Sequence, residues 1–321
     1  MEARKKVLVT ATNYSTLCKE AKFLLEQNQI DVIENPNDRP MTFEELREVI
    51  SDIDGVVAGV DSWNEAVFQL APHLKVISRF GVGVDNIDLE KAKEYGIHVT
   101  NAPRLNSNAV AELTINLILN SLRNTVLLHH TTQHGSWDRF VGVELKGKKV
   151  GLLGFGNIAQ NVAKKLQGFD VGIYAYDKYP NDAIADKYNV AFMSYEDILR
   201  KCDVVSMHLP HMNETHHFMN KERFQQMKEG AYFINTSRGG LVDEHALYEA
   251  LHSGHLQAAA IDVYEEEPTK STNPLFQLKN IITTPHTAAE TYETYHLVGL
   301  LTAQAIIDVF QNKRPANLMN G

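Results

Sequence analysis

Short apolar runs recur along the chain, separated by longer stretches in which apolar residues return every three or four positions. The short runs predict buried β-strands and the longer ones helices, so their alternation predicts βαβ units around parallel sheets. Near the start, strands are predicted at Lys6–Thr10, Ile30–Glu34, Gly55–Ala58, Lys75–Ser78 and His98–Thr100. Helices are predicted between them at Tyr14–Asn28, Thr42–Ile50 and Asp88–Tyr95, the last closed by Gly96.

A second series begins at Lys149, with strands Val150–Leu153, Val171–Tyr176, Val204–His208, Ala231–Asn235, Ala258–Val263 and Ile281–Thr284. That makes about six, the count of a full dinucleotide-binding sheet. A helix from about Ser107 to Leu128 and a polar stretch through Gly147 separate the two series. The last helix, Tyr292–Phe310, has no strand left to feed and is expected to return to the first domain. The pattern therefore predicts an α/β protein of two parallel-sheet domains, one discontinuous (1–101 and 290–321) and one continuous (102–289). Two crossings of that boundary would form a hinge beside a cleft.

Composition changes this picture little. Of 321 residues, 44% are hydrophobic and 22% charged, an ordinary globular mixture. The formal charge is −9 without a Lys/Arg block, which argues against a nucleic-acid partner. The basic start is followed by only three apolar residues between Lys6 and Thr10, too few for a signal peptide. The most apolar helix, near Ala111–Leu122, is interrupted by Asn116 and Asn120 and is too short for a bilayer. Two cysteines, Cys18 and Cys202, make neither a disulfide framework nor a thiolate metal site. A reducing, cytoplasmic setting is expected.

The first chemical signal is Val150-Gly-Leu-Leu-Gly154-Phe-Gly156-Asn-Ile-Ala159, a strand entering a glycine turn and then a helix. Gly154 permits the turn, Gly156 lets backbone approach a pyrophosphate, and the N–H groups at Asn157 and Ile158 face the anion. Ala159 allows close packing of helix on strand. An incidental glycine turn would look the same, but Asp177 ends the next strand 21 positions after Gly156. Its carboxylate suits ribose hydroxyls and repels a 2′-phosphate, so NAD is favoured over NADP. Lys178 next to it weakens that preference.

Oxidising a secondary alcohol needs a base for the hydroxyl proton and a cation for the substrate carboxylate. Histidine backed by a carboxylate suits the first role, and the planar fork of arginine the second. Arg238, Glu267 and His286 each follow a predicted strand of the second domain, where ligands of open α/β sheets bind. A lone loop histidine is more often surface decoration, and a glutamate before proline usually caps a loop.

The motifs Arg79-Phe-Gly-Val-Gly-Val-Asp-Asn-Ile-Asp88, Asn108–Thr114, Gly154–Ala159, Asn235–Asp243, Asp262–Pro268 and Pro285–Ala289 carry a resemblance covering nearly the whole chain. The sequence resembles the D-isomer-specific 2-hydroxyacid dehydrogenases, which include phosphoglycerate, glycerate and hydroxypyruvate or glyoxylate enzymes. The resemblance implies a Rossmann nucleotide domain and a flavodoxin-like substrate domain. It also implies that Arg238 binds and polarises the keto acid, that His286 gives or takes the proton, and that Glu267 is its partner. Asp262 would contact the nicotinamide carboxamide. Val82, Leu209, Pro210, Thr215, Thr236, Ser237 and Ala288 would line the cofactor. The amides of Val82 and Gly83 would meet the substrate carboxylate, and side chains at 81 and 83 would crowd it. Family members usually dimerise through a helical arm, here about Ser107–Lys146.

Ala58-Gly59-Val60-Asp61 carries no cation where phosphoglycerate enzymes tend to place polar or basic residues. Arg104 is a substitute phosphate contact or a solvated arginine. The chain ends after the returning helix, so no appended regulatory domain is expected. Fourteen histidines, including His130, His134, His211, His216 and His217, complete no recognisable metal-ligand set. Trp137 is expected to pack the arm. The readings left are an NAD-dependent dehydrogenase, running as a keto-acid reductase or a phosphoglycerate oxidase, and a non-catalytic NAD-sensing protein. Formate oxidation needs no proton relay, and the Glu267–His286 pair disfavours it.

Overall fold

A computed structural model describes residues 4–37 and 39–321; the first three residues of the basic start, and Asp38, lie outside the described residues. Two compact units emerge, one of the segments ending at Asn106 and resuming at Glu290, the other Ser107–Ala289. The second unit thus opens at Ser107 rather than at 102.

The first unit holds β1 (Lys5–Val9), β2 (Ile30–Glu34), β3 (Gly55–Ala58), β4 (Val76–Arg79) and β5 (His98–Thr100). They form one parallel sheet in the order β2-β1-β3-β4-β5, the flavodoxin-like order. One face packs on Trp63, Phe68, Leu46 and Ile53, all fully buried. The other packs on Leu25 and on Tyr295, Ile306, Ile307 and Val309 of the closing helix Tyr292–Phe310. The helix predicted over Tyr14–Asn28 is broken at Cys18 into Tyr14–Leu17 and Lys19–Gln27. Asn13 and Cys18 leave helical geometry there, and the Cys18 Sγ turns to the Tyr295 carbonyl.

The second unit holds β6 (Lys149–Leu153), β7 (Gly172–Tyr176), β8 (Val190–Phe192), β9 (Val204–Met207), β10 (Ala231–Asn235), β11 (Leu256–Ile261) and β12 (Ile281–Thr283). Their order is β12-β11-β10-β9-β6-β7-β8, all parallel, and the order in which the strands are laid down reverses between β6 and β9. The expectation of six strands missed β8. Its apolar run, Val190-Ala191-Phe192, is only three residues long at the sheet edge and buries only Val190, too short to stand out as a strand. Central β10 is buried at all five positions, because helices cover both faces of the sheet. Each large apolar side chain buried there stabilises by about 1.5–3 kcal/mol.

The helix expected to reach Leu128 stops at Arg123. Asn124 takes a left-handed φ of 53° and a new helix runs Thr125–Gln133. None of that second helix is buried within this chain. Trp137 does not pack the arm: it is 84% exposed, because residues 136–144 form no helix or strand that could fold over it. No described helix is long and apolar enough to cross a membrane.

Candidate active site

The site is built on the second unit, at the ends of parallel strands beside the point where the strand order reverses. After β6, Gly154 has φ +99°, and a Cβ on it would come within 2.6 Å of the His208 carbonyl oxygen. Only glycine fits there. A Cβ on Gly156 would meet nothing, so the space over the loop is open to a ligand. Gly156 caps the helix Asn157–Leu166, whose first N–H groups, at Asn157 and Ile158, have no partner within their own helix. Ala159 is fully buried against the sheet. After β7, the Asp177 carboxylate accepts from Phe155 N–H at 2.8 Å and Tyr179 N–H at 2.9 Å. It therefore braces the glycine loop. Open glycine, helix N-terminus and flanking carboxylate together suit a dinucleotide.

The segment after β9 is folded on itself by Thr215, whose Oγ1 donates to the Pro210 carbonyl and accepts from Met212 N–H. Leu209 stays partly exposed beside it. His208, which the sequence reading passed over, lies at the head of this segment with Nε2 3.0 Å from Ser206 Oγ. Burial pushes its ring down to about 3, so it stays neutral.

After β10 the chain turns sharply through Thr236, Ser237 and Arg238. The buried Asn235 side chain spans that turn, accepting from Ser237 N–H and Oγ–H and donating to the Arg238 carbonyl. Asn235 is a second residue missed from the sequence. An asparagine at a strand end can form such a turn by bonding backbone two residues on. Thr236 Oγ1 pairs with Thr114 Oγ1 at 2.9 Å, a buried contact to the helix Ser107–Arg123.

Glu267 and His286 follow β11 and β12. His286 Nδ1 lies 2.6 Å from Glu267 Oε2, and the other Glu267 oxygen accepts from Tyr264 N–H at 2.9 Å. An ionised carboxylate only accepts, so Nδ1 carries the proton and Nε2 is left for a substrate. Partial burial would raise the Glu267 pKa. The His286 hydrogen bond and charge, the Tyr264 amide and the Arg238 charge outweigh it and hold the group below its ordinary 4.5. A depressed carboxylate stabilises the fold above its ordinary pKa and ceases to as pH falls through the folded value. Glu267→Gln is therefore expected to flatten the loss of thermal stability below about pH 4.5, which melting curves from about pH 3 to 7 would show.

His286 has φ +53°, a left-handed conformation that a non-glycine residue holds only when its surroundings enforce it. Its N–H donates to the Asp262 carbonyl at 2.7 Å. The Asp262 carboxylate is fully buried and accepts from Thr284 Oγ1, Thr287 N–H and Ala288 N–H. Through these bonds Asp262 pins the loop that carries His286.

Val82 and Gly83 lie in the first unit, after β4. Val82 is 37% exposed, and its carbonyl accepts from Asn101 Nδ2 at 2.8 Å. Gly81 has φ +150°, so backbone conformation accounts for that glycine. Arg104 also belongs to the first unit, with φ +69°. Among the described residues no group of three or more His, Cys, Asp or Glu side chains is arranged to hold a metal.

Residues 115–288 match the family model of the D-isomer specific 2-hydroxyacid dehydrogenase NAD binding domain. The chain belongs to the D-isomer specific 2-hydroxyacid dehydrogenases. It is 41% identical over 303 residues to a D-3-phosphoglycerate dehydrogenase of Methanocaldococcus jannaschii, covering 93% of this chain and 57% of that protein. A glyoxylate reductase of Thermofilum pendens is 38% identical over 299 residues, with 90% of this chain and 88% of the relative covered. Thus the chain spans little more than half of the first relative but most of the second. In structure it is similar to the TT0316 protein of Thermus thermophilus, with TM-score 0.90, 34% identity, and 98% and 99% of the two chains covered. Within this family the second unit contains the NAD-binding domain.

Proposed function

We propose that this family member is an active NAD-dependent 2-hydroxy acid dehydrogenase that works as a reductase of small, unphosphorylated 2-keto acids. The reading is carried by the 2.6 Å pair of His286 and Glu267 on the loops next to the Arg238 turn, on the sheet that bears the glycine loop. NAD, when bound, supplies the site of hydride exchange, held by Gly154, Gly156, Asn157, Ile158 and Asp177. Arg238 binds and polarises the keto acid through its guanidinium fork. His286 Nε2 delivers the proton to the keto oxygen during reduction and removes it during oxidation. Glu267 keeps Nδ1 protonated and the ring in place.

The preference for an unphosphorylated acid rests on the absence of a cation in the loop Ala58–Asp61, whose one charged residue is Asp61. It is 2% exposed and accepts from Thr10 Oγ1 and Met41 N–H. The test is an NADH absorbance assay with glyoxylate, hydroxypyruvate and pyruvate, and with 3-phosphoglycerate plus NAD in the other direction. Turnover confined to 3-phosphoglycerate would overturn the substrate assignment.

Asp177 is the proposed selector of NAD over NADP. Asp177→Ala is expected to raise the KM for NADH about tenfold, as loss of a hydrogen bond to a charged group implies, and to narrow the gap to NADPH. Parallel titrations with both cofactors measure it. A homodimer is proposed through the stretch around Trp137 and Val141, which are 84% and 93% exposed. Trp137→Ser should shift the mass found by light scattering toward the monomer. The cytoplasm is the proposed compartment, in keeping with two buried, free cysteines.

A further inference from the structure

The Arg238 loop and the Glu267 loop are fastened to each other by residues that the mechanism above does not use. His217 lies in the segment after β9. Its backbone N–H donates to the Gly240 carbonyl at 2.8 Å, just beyond Arg238. Its ring Nε2 lies 3.1 Å from Glu265 Oε1, just before Glu267. The same residue therefore holds one loop by its backbone and the other by its side chain.

Glu265 is gripped from another direction as well. Its Oε1 accepts from Glu244 N–H at 3.0 Å, in the first turn of the helix Glu244–His252, and its own N–H donates to Glu244 Oε1 at 2.8 Å. Glu244 Oε2 in turn accepts from Asn273 Nδ2 at 2.7 Å. Between these tethers the two loops touch: a Cβ on Gly239 would come within 1.8 Å of the Tyr264 carbonyl oxygen. The titratable groups around His217 are Glu265 and Glu244, His216 stacked on it with ring centroids 4.0 Å apart, and His211, whose Nε2 is 3.3 Å from His216 Nδ1.

We propose that His217 and Glu265 form a positioning pair that holds the Arg238 and Glu267 loops in register; this rests on the dehydrogenase reading. Arg238 fixes the keto acid, while Glu267 fixes the ring that protonates it. A relative shift of these loops moves the acid away from the keto oxygen, and a displacement of about 1 Å can cost about a hundredfold in rate. Neither member of the pair touches the reacting atoms in this scheme; Glu265 acts through Glu267, two residues on, and His217 through Gly240, two residues beyond Arg238.

The test compares Glu265→Ala, His217→Ala, the double variant and Glu265→Gln with the parent. Steady-state rates are measured across pH, NADH affinity by fluorescence titration, and stability by thermal unfolding. The alanine variants are expected to lower kcat about tenfold and to move the acid limb of the kcat profile, with NADH affinity within about twofold of the parent. The double variant is expected to lose no more than either single one, as for two residues acting as a unit. Glu265→Gln can still accept from Glu244 N–H and from the His217 ring, and should recover most of kcat. An unmoved kcat and pH limb in Glu265→Ala would overturn the pairing. So would a fall in kcat matched by equal losses of NADH affinity and melting temperature, or a glutamine variant no better than alanine. A parent that turns over no 2-keto acid would instead overturn the dehydrogenase reading, and the pair's role with it.

Discussion

Replacing His286 with alanine is expected to lower kcat by about 10²- to 10⁴-fold, the range that a positioned general acid or base contributes. The loss should fall mainly on kcat, since the proposed cofactor contacts are chiefly the glycine loop and Asp177. Glu267→Gln is expected to be the milder lesion of the pair, because an amide oxygen can still accept from Nδ1–H but no longer stabilises the charged ring. Measuring kcat and the NADH dissociation constant side by side separates this from a folding defect. A His286→Ala enzyme within about tenfold of the parent would remove His286 from the chemistry.

Gly239→Ala is expected to be nearly as damaging by a different route. Its Cβ would overlap the Tyr264 carbonyl at 1.8 Å, and the obstacle is backbone on both sides. No side-chain rotation relieves that clash, so the Arg238 turn and the Glu267 loop must separate. Overpacking of this kind costs about 1–3 kcal/mol, sometimes more. Urea unfolding should show the loss of stability. Kinetics should show a fall in kcat/KM greater than stability alone explains, since both catalytic loops shift. Normal stability and activity would mean that the loops can part freely and that their contact carries no function.

Most of the sheet architecture was legible along the chain because buried parallel strands are short apolar runs, as at Ala231–Asn235. Val190–Phe192 escaped because its apolar run is only three residues long at a sheet edge, too short to set it apart from a loop. The break at Asn124 escaped because the apolar pattern continues through it, while the backbone reverses to a left-handed φ. At the site, Arg238, Glu267 and His286 could be named from residue type and position after a strand. Their supports could not. The bonds of Asp262 to the His286 loop and the His217–Glu265 contact depend on which loops meet in space. Gly239 stood in the sequence as one of a glycine pair, and only the approach of Tyr264 explains why a side chain is forbidden there.

Hydride transfer to a 2-keto acid, with the proton supplied by His286, is tested by reduction of glyoxylate, hydroxypyruvate and pyruvate with NADH deuterated at the transferable position, followed by mass analysis of the product. A 2-hydroxy acid carrying deuterium at carbon 2 is expected from the parent and should be nearly absent with His286→Ala. Tight NADH binding without labelled product from any of these acids, or equal labelling by the parent and His286→Ala, would contradict it.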